Sequence, residues 1–300
     1  MALPPQHYPI LVTGARGRLG RALGPRLRAG APDPEALRLT DADDLDVTDP
    51  EAVARTVERL RPATVFHLAA WTDVDGAERR PADARRLNVA GTEHVARAAA
   101  AAGALVVFIS TDFVFDGTKE GPYVEDDPPR PLGVYARTKA EAEARVRAVA
   151  PGRHLIVRTA WLYGAGGRDF IHAVLDQARA GRTPRVVTDQ VGCPTWTEDL
   201  ARALVAAVAA GLRGTVHACG AGEASRWDLA REALRAAGLA VDPVPITSAD
   251  LPPGAAPRPR RAVLSCQRLA REAGFRFPPW QESLRRYVAG MGRKPPVKTL

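Results

Sequence analysis

A short apolar run leads directly into a glycine-rich turn near the amino terminus, and this arrangement limits the folds open to the chain. Residues 7–13 predict a β-strand, and a helix is predicted to begin at Arg18. The turn contains Gly14, Gly17 and Gly20, in the spacing Gly-x-x-Gly-x-x-Gly. Because glycine permits a tight turn, backbone N–H groups and the helix N-terminus can face a pyrophosphate there. The stretch therefore predicts a strand–turn–helix unit that binds a dinucleotide.

The same alternation continues through the first half of the chain. Strands are predicted at 36–40, 64–70 and 104–110, and helices are predicted over 50–61 and 81–102. The third of these strands is apolar throughout, as a strand buried on both faces is. Alternation of this kind predicts an α/β protein with a Rossmann-type, doubly wound parallel sheet.

In the second half of the chain the alternation is less regular, which suggests a second unit. We expect residues 1–160, rejoined by about 190–220, to form the dinucleotide-binding domain. Residues 161–189 and 221–292 are expected to form a smaller carboxy-terminal α/β substrate lobe, with the substrate in the cleft between the two. Residues 293–300 are predicted to be a loose tail.

Three local signals add detail. Thr48 and Glu51 fit a capping box that opens the helix ending near Arg61. His67 lies inside a predicted strand, which favours a core histidine over a ligand. The stretch 243–259 is rich in proline and glycine and predicts a loop.

Three side chains in the middle of the chain predict carbonyl chemistry. Thr111 ends a buried strand, and ligands of open parallel sheets bind beyond the carboxyl ends of the strands. Tyr135 and Lys139 are four residues apart, so they share one face of a helix. A hydroxyl can orient a carbonyl, a phenol can give or take a proton, and a nearby ammonium is expected to lower the pKa of the phenol. We therefore predict that these three residues are catalytic.

The signals for the type of dinucleotide conflict. Asp41 follows the second strand, where an acid binds the ribose hydroxyls of NAD. Arg16 and Arg18 could instead meet the extra phosphate of NADP. Asp46 is available as a loop carboxylate near the adenine, or it serves only the local turn. We take NADPH as the expected cofactor and NADH as the alternative.

The charge balance raises the question of a nucleic-acid partner, because the net charge is +8. Arginines are spread among glutamates on predicted helices, as in Arg137, Glu141 and Arg145, which is typical of a solvated face. No zinc-finger, RRM-type or basic-zipper pattern occurs, and no apolar run is long enough to span a bilayer. The three cysteines are too widely spaced for a disulfide framework or a zinc site. We expect a cytoplasmic protein that binds neither nucleic acid nor membranes.

Several motifs in a fixed order give the chain a family likeness over about residues 9 to 289. They resemble those of extended short-chain dehydrogenases/reductases and, more narrowly, of dTDP-4-dehydrorhamnose reductases. The motifs are Gly14-x-x-Gly17-x-x-Gly20, Asp46-Val-Thr-Asp, Ala69-Ala70-Trp-Thr72, Asn88-x-x-Gly-Thr92, Ser110-Thr-Asp-Phe-Val-Phe-Asp-Gly117, Tyr135-x-x-x-Lys139, Arg158-Thr-Ala-Trp-Leu-Tyr-Gly164 and Asp189-Gln-Val-Gly-Cys-Pro-Thr195.

The resemblance implies an NAD(P)H-dependent reduction of the 4-keto group of a nucleotide-linked 6-deoxy sugar, with Tyr135 as proton donor. The implied substrate contacts are Thr111, Asp112, Tyr135 and Trp161. Taken together with the glycine turn, the predicted cofactor-binding residues are Gly14, Arg16, Gly17, Arg18, Leu19, Gly20, Asp41, Asp46, Val47, Ala69, Ala70, Thr72, Tyr135 and Lys139.

The chain departs from the family pattern at three positions. Phe113 stands where a tyrosine is usual, and Arg261 stands where an asparagine is common. Some relatives bind a metal through an acid just after the glycine turn. Ala22 occupies that place here, so no metal site is expected.

Two other functions remain open at this stage, and the protein is expected to be a monomer or a homodimer. A nucleotide-sugar epimerase or 4,6-dehydratase would share the fold, but dehydratases of this type usually carry Asp-Glu where this chain has Asp112-Phe113. A non-catalytic protein resembling the regulatory subunit of methionine adenosyltransferase would also share the fold. The presence of Thr111, Tyr135 and Lys139 argues against the second alternative.

Overall fold

A computed structural model of the protein describes residues 2–291. The strands are β1 (Ile10–Thr13), β2 (Leu37–Thr40), β3 (Thr64–His67), β4 (Leu105–Thr111), β5 (His154–Thr159), β6 (Leu162–Tyr163), β7 (Arg185–Val187), β8 (Val191–Gly192), β9 (Thr195–Trp196), β10 (Gly214–His217), β11 (Ala224–Ser225) and β12 (Val244–Ile246). The α-helices are α1 (Arg18–Arg28), α2 (Pro50–Leu60), α3 (Val74–Arg79), α4 (Pro81–Arg85), α5 (Thr92–Ala101), α6 (Val134–Val149), α7 (Phe170–Arg179), α8 (Thr197–Ala209), α9 (Arg226–Ala236), α10 (Gln267–Ala273) and α11 (Trp280–Met291). The predicted tail at 293–300 lies outside the described residues.

Six parallel strands form the central sheet, in the order β2–β1–β3–β4–β5–β10. Ile10 of β1 pairs with Leu37 on one side and with Thr64 on the other. The strand order reverses between β1 and β3, and open sheets of this kind bind ligands beyond the carboxyl ends of their strands at such a point. The expected α/β class with a doubly wound parallel sheet is confirmed.

Helices cover both faces of the sheet because its strands are apolar on both sides. α1 and α8 pack with one face in a single buried cluster. α2, α5 and α6 pack with the opposite face in a second cluster. A third cluster, outside the sheet, joins residues of α7, α9 and α11.

His67 is a core residue, as expected from its place in β3. Its Nδ1 lies 2.7 Å from the Thr13 hydroxyl and its Nε2 lies 3.0 Å from the Thr92 hydroxyl. Burial, and secondly the charge of Lys139, lowers the pKa of His67 to about 3. The ring is therefore neutral at physiological pH and bridges two strands and a helix.

Three local predictions were wrong in detail. The cap of α2 is Asp49, whose carboxylate accepts from the backbone N–H groups of Glu51 and Ala52, whereas the Thr48 hydroxyl donates to Asp46. The helix predicted over 81–102 changes to a π-helix at Arg86–Gly91 between α4 and α5. The stretch 243–259 is not only loop, because β12 within it pairs in parallel with β7.

One buried ion pair fixes α6 against the sheet. Glu143 of α6 accepts two hydrogen bonds from the Arg158 guanidinium of β5, at 2.9 and 2.8 Å. Both side chains are almost fully buried, at 0% and 1% exposure. Arg147, which is far more exposed, adds a third hydrogen bond at 2.8 Å. Burial alone would raise the pKa of Glu143, but these arginines hold it below its ordinary value.

No helix within residues 2–291 has the length and apolar character needed to cross a membrane.

Replacing Arg158 by methionine should destabilise the fold strongly, because the Glu143 carboxylate would stay buried with only Arg147 to pair it. The expected loss is about 3 kcal/mol in the free energy of unfolding, measured by urea denaturation. Arg147→Met is the matched control, since it removes an exposed partner of the same carboxylate and should cost less than about 1 kcal/mol. Equal losses for the two variants would contradict this account.

Candidate active site

A cavity of about 600 Å³ lies at the carboxyl ends of the central strands. Apart from Arg16, every residue predicted to bind cofactor or substrate lines it. These residues are Gly14, Gly17, Arg18, Leu19, Gly20, Asp41, Asp46, Val47, Ala69, Ala70, Thr72, Thr111, Asp112, Tyr135, Lys139 and Trp161. Stretches that are far apart in the sequence thus meet in one cavity, at the edge that the sheet topology predicts.

The glycine turn brings the start of α1 close to the loop after β3. Gly14 has φ +68°, and a Cβ there would lie 2.7 Å from the Ala69 nitrogen. The N-cap of α1 is Gly17, so no side chain caps the first N–H groups of this helix. Such N–H groups at a helix N-terminus bind anions well. The turn is therefore suited to a cofactor pyrophosphate.

Arg16 is held outside the cavity by two acids. Its guanidinium lies 2.7 Å from Asp43 and 3.6 Å from Asp41, and its backbone N–H donates to the Asp41 carboxylate at 2.9 Å. Burial opposes ionisation of Asp41, but hydrogen bonds from Ala42 and Arg16 hold its pKa below the ordinary value. Arg18 does line the cavity, and its guanidinium donates to the backbone carbonyl of Arg168.

Small or turn-forming residues also line the cavity near the glycine turn. Asp46 accepts hydrogen bonds from the backbone and the hydroxyl of Thr48, both at 2.8 Å, and these bonds lower its pKa. Ala69 and Ala70 leave space for a ligand beside β3. Asn88, in the π-helix, accepts from the backbone N–H of Trp71 at 2.8 Å and so orders the same loop.

Thr111, Tyr135 and Lys139 all line the cavity, and the Thr111 hydroxyl hydrogen-bonds the Tyr135 phenol. The Thr111 hydroxyl donates to Asp112 at 3.0 Å and accepts from the backbone N–H of Phe113 at 3.2 Å. The Phe113 ring stands edge-on to the Tyr135 ring, with centroids 6.2 Å apart. The aromatic contact explains how phenylalanine can replace the usual tyrosine at this position.

The expectation that Lys139 lowers the pKa of Tyr135 was wrong. Burial raises the pKa of Tyr135 to about 12, the Thr111 hydroxyl lowers it in part, and the charge of Asp112 raises it. Burial also lowers the pKa of Lys139 to about 7, although the charge of Glu143 opposes this change. Its Nζ lies 4.0 Å from the centroid of the Phe108 ring. At neutral pH the phenol is protonated and the lysine is only partly charged.

Asp112 is a buried carboxyl at 2% exposure. Burial raises its pKa to about 7, although the Thr111 hydrogen bond and the charge of Arg226 favour the ionised form. Its second oxygen, Oδ2, has no hydrogen-bond partner among the described residues. An unpaired buried carboxyl oxygen in the lining of a cavity is free to form a hydrogen bond with a ligand.

Trp161 has an unusual backbone conformation and is enclosed on two sides. Its φ is +46°, which is rare for a bulky residue. On one side lies Gly192, where a Cβ would be 2.6 Å from the ring. On the other side the Arg226 guanidinium lies 3.6 Å from the ring centroid. The packing holds the indole in place in the cavity that the residues predicted for catalysis also line.

Arg226 is the main cavity residue that the sequence analysis missed. It is the first residue of α9, directly after the Ser225 cap. It lines the active-site cavity and a second cavity of about 570 Å³, whose lining also includes Arg258 and Arg185. A cation at a helix N-terminus opposes the helix dipole, so its position could have signalled a function beyond helix stability.

The other departures from the family pattern also have structural explanations. Arg261 forms a two-pronged ion pair with Glu223, at 2.9 and 2.7 Å, and donates to the backbone carbonyl of Glu120. Arg261 therefore links the loop that contains Glu120 to the loop that contains Glu223. Ala22 is buried in α1 and offers no ligand atom. Among residues 2–291 no group of three or more histidine, cysteine or acidic side chains could hold a metal ion.

Asp112→Asn should change how stability depends on pH. The folded protein holds a proton on Asp112 up to about pH 7, whereas the unfolded chain releases it near pH 3.8, so the wild type loses stability as pH rises between these values. The free energy of unfolding of the variant, relative to wild type, should rise by about 3–4 kcal/mol between pH 4 and pH 8.

Denaturant titrations at several pH values measure this change. Asp116→Asn is the control, because hydrogen bonds from Thr118 and Tyr123 lower the pKa of Asp116 despite its burial. Its difference from wild type should therefore stay nearly constant over the same range. A flat profile for Asp112→Asn would show that the carboxyl does not hold a proton at neutral pH.

Comparison with known proteins places the chain in a family. The family model described as "RmlD substrate binding domain" matches residues 8–292. The dTDP-4-dehydrorhamnose reductase of Streptomyces griseus is 45% identical over 267 residues, which cover 86% of each chain. Two crystal structures of dTDP-4-dehydrorhamnose reductases are also similar. That from Clostridium acetobutylicum has a TM-score of 0.90 at 37% identity and covers 95% of this chain and 99% of its own.

The second crystal structure, from Bacillus anthracis, was determined in complex with NADP. It has a TM-score of 0.88 at 30% identity and covers 96% of this chain and 99% of its own. The family expected from the sequence motifs is confirmed. The chain therefore belongs to the RmlD family of dTDP-4-dehydrorhamnose reductases, which are oxidoreductases.

Proposed function

We propose that the protein reduces the 4-keto group of a nucleotide-linked 6-deoxy sugar, converting dTDP-4-dehydrorhamnose to dTDP-rhamnose in rhamnose biosynthesis. NADPH is the proposed cofactor and NADH the alternative. The observation that carries the proposal is the convergence of Thr111, Tyr135 and Lys139 in the cavity that the glycine turn also lines. That cavity is large enough for a nicotinamide and a sugar to meet.

Each catalytic side chain has a distinct proposed role. A bound nicotinamide cofactor supplies the hydride that adds to the ketone carbon. Tyr135 delivers the proton to the ketone oxygen, and its pKa of about 12 keeps the proton available at neutral pH. The Thr111 hydroxyl, which now donates to Asp112, would turn its hydrogen towards the same oxygen and stabilise the developing charge. Lys139 would hold the nicotinamide ribose.

The remaining cavity residues divide into cofactor and substrate groups in this proposal. Pyrophosphate binds at the glycine turn and the uncapped start of α1, with Arg18 alongside. Asp41 and Asp46 bind polar groups of the adenosine half, and Arg16 orders this wall through Asp41. Asp112 and Trp161 contact the sugar. The B. anthracis relative bound to NADP supports the choice of NADPH.

Arg226 is proposed to bind the diphosphate of the sugar nucleotide. Its guanidinium has no hydrogen-bond acceptor among residues 2–291, while Arg258 is paired with Asp75 at 2.8 Å. Burial lowers the pKa of Arg226 to about 10, Asp112 opposes this, and the like charge of Arg258 adds to it. Two guanidinium groups facing one cavity repel each other unless an anion lies between them. A diphosphate supplies that anion.

The domain division is also a proposal. Residues 1–160 with about 190–220 would bind the dinucleotide, because β10 extends the central sheet beside β5. Residues 161–189 and 221–292 would bind the sugar nucleotide, and they have their own buried cluster. The lobe supplies Trp161 and Arg226 to the cavity.

A monomer or homodimer in the cytoplasm is proposed, with no nucleic-acid partner. Among the described residues, Val124, Leu132 and Val244 are the only large hydrophobic side chains that are well exposed, and no two of them are adjacent in the sequence. The three cysteines are unpaired, as is common in a reducing compartment.

The alternatives predict different measurements. A 4,6-dehydratase needs additional acid and base groups to eliminate water, and Phe113 beside Asp112 supplies neither. A regulatory subunit would bind a partner and leave a keto sugar unreduced. Loss of NADPH absorbance that depends on a 4-keto nucleotide sugar distinguishes the reductase from both.

Tyr135→Phe should lower kcat by at least about 100-fold, since it removes the proposed proton donor. The Kd for NADPH, measured by fluorescence titration, should stay within about twofold because the ring and its packing remain. Tyr8→Phe is the control, as the buried Tyr8 phenol bonds the Leu27 carbonyl outside the cavity. Full turnover by Tyr135→Phe would refute the assigned role.

Arg226→Met should raise the KM for the sugar nucleotide by roughly 10- to 100-fold, because charge-assisted hydrogen bonds to the diphosphate are lost. NADPH affinity should be unchanged, and Arg226→Lys should be intermediate. Arg231→Gln is the matched control: it lies on the same helix and pairs with Asp242. An unchanged KM would rule out diphosphate binding. So would an equal loss of affinity for two inhibitors, dTDP and thymidine, because only dTDP carries the diphosphate.

A further inference from the structure

Two cysteines lie at the two ends of one segment of the substrate lobe. Cys219 follows β10, and Cys266 immediately precedes α10. Their sulfur atoms are 3.4 Å apart. The Cys266 sulfur accepts from the Cys219 backbone N–H at 3.3 Å, and it lies 3.7 Å from the Cys219 carbonyl oxygen as a donor. The contacts bring the start and the end of segment 220–265 together.

The two ends of this segment are anchored in the core of the central sheet. Val216 and Ala218, beside Cys219, and Leu269, beyond Cys266, belong to the same buried cluster as α1 and α8. Between the ends, the chain passes through α9 and β12 and returns past Arg258. The segment therefore carries Arg226 and Arg258, two of the arginines that line the second cavity.

The two thiols differ in how accessible they are. Cys219 is 1% exposed, whereas Cys266 is only partly buried. The pKa of Cys219 is raised well above its ordinary value. The largest cause is a hydrogen bond to Cys193, followed by one to Cys266 and by burial. A dissolved oxidant therefore meets Cys266 first, because Cys266 is the more exposed of the two thiols.

We propose that Cys219 and Cys266 form a reversible disulfide on exposure to a disulfide oxidant such as glutathione disulfide, and that this bond closes the base of segment 220–265. The sulfur atoms need to approach by only about 1.4 Å to reach bonding distance. The inference does not rest on the reductase function.

The reaction proceeds in two exchange steps. The Cys266 thiolate attacks one sulfur of glutathione disulfide, breaks its S–S bond and releases one glutathione thiolate. Cys219 then loses its proton and attacks the Cys266 sulfur, which releases the second glutathione. The protein loses two electrons and two protons, and glutathione disulfide is reduced to two glutathione thiols.

The test uses the full-length protein incubated with glutathione disulfide, alkylated, and analysed by intact mass and by non-reducing peptide mapping. Wild type should lose the mass of two hydrogen atoms before alkylation and take up two fewer alkyl groups than the reduced protein. It should give one cross-linked peptide pair containing Cys219 and Cys266. Because the bond closes a long loop in the unfolded chain, Tm should rise by about 3–6 °C and return on reduction with dithiothreitol.

Three variants make the outcome decisive. Cys193→Ser should keep both the cross-link and the rise in Tm, because the 3.4 Å sulfur contact joins Cys219 to Cys266. Cys219→Ser and Cys266→Ser should each lose the cross-link and the rise in Tm. If Cys219→Ser does not fold because Cys219 is buried, Cys266→Ser alone provides the test. A cross-link that contains Cys193, or a wild type that retains glutathione on Cys266 without closing the bond, would overturn the proposal.

Discussion

The buried ion pair between Glu143 and Arg158 is the constraint on which the active site depends. It joins the middle of α6 to β5, so the helix cannot slide or rotate on the sheet without leaving a carboxylate unpaired in the core. Tyr135 lies two turns before Glu143 and Lys139 one turn before it. Asn88 adds a second anchor, through a hydrogen bond of 3.0 Å to the Thr138 hydroxyl. A fixed helix places the phenol beside the end of β4.

Burial then decides the charge of each group in the cavity. It keeps the phenol of Tyr135 protonated, leaves Lys139 only partly charged, and holds a proton on Asp112 close to neutral pH. Arg226 remains a cation because its ordinary pKa is so high. Among residues 2–291 the cavity thus combines proton donors with the unpaired guanidinium of Arg226, which suits a keto sugar that carries a diphosphate.

Much of this architecture follows from local patterns in the chain. The first four strands of the chain and the glycine turn lie close to where their residues predict them, because apolar periodicity and turn-forming glycines act over short distances. Among the predicted elements, the cap of α2 lies one residue later than predicted, whereas the two larger errors involve long-range packing. The π-helix at Arg86–Gly91 positions Asn88 for contacts with Trp71 and Thr138, and β12 exists because β7 provides a partner strand. Trp71 and Thr138 are distant from Asn88 in the sequence, and β7 is distant from β12.

The sequence by itself determined the α/β class, the dinucleotide turn, the family and the residues predicted for catalysis, since each depends on residue type and spacing. The tertiary structure alone decided the protonation of Tyr135 and Lys139, which follows from burial that no local pattern specifies. It also decided that Arg226 stacks on Trp161 and faces the cavity, and that Cys219 meets Cys266. These contacts join residues 47 or more positions apart, and only the packing of whole elements can bring such residues together.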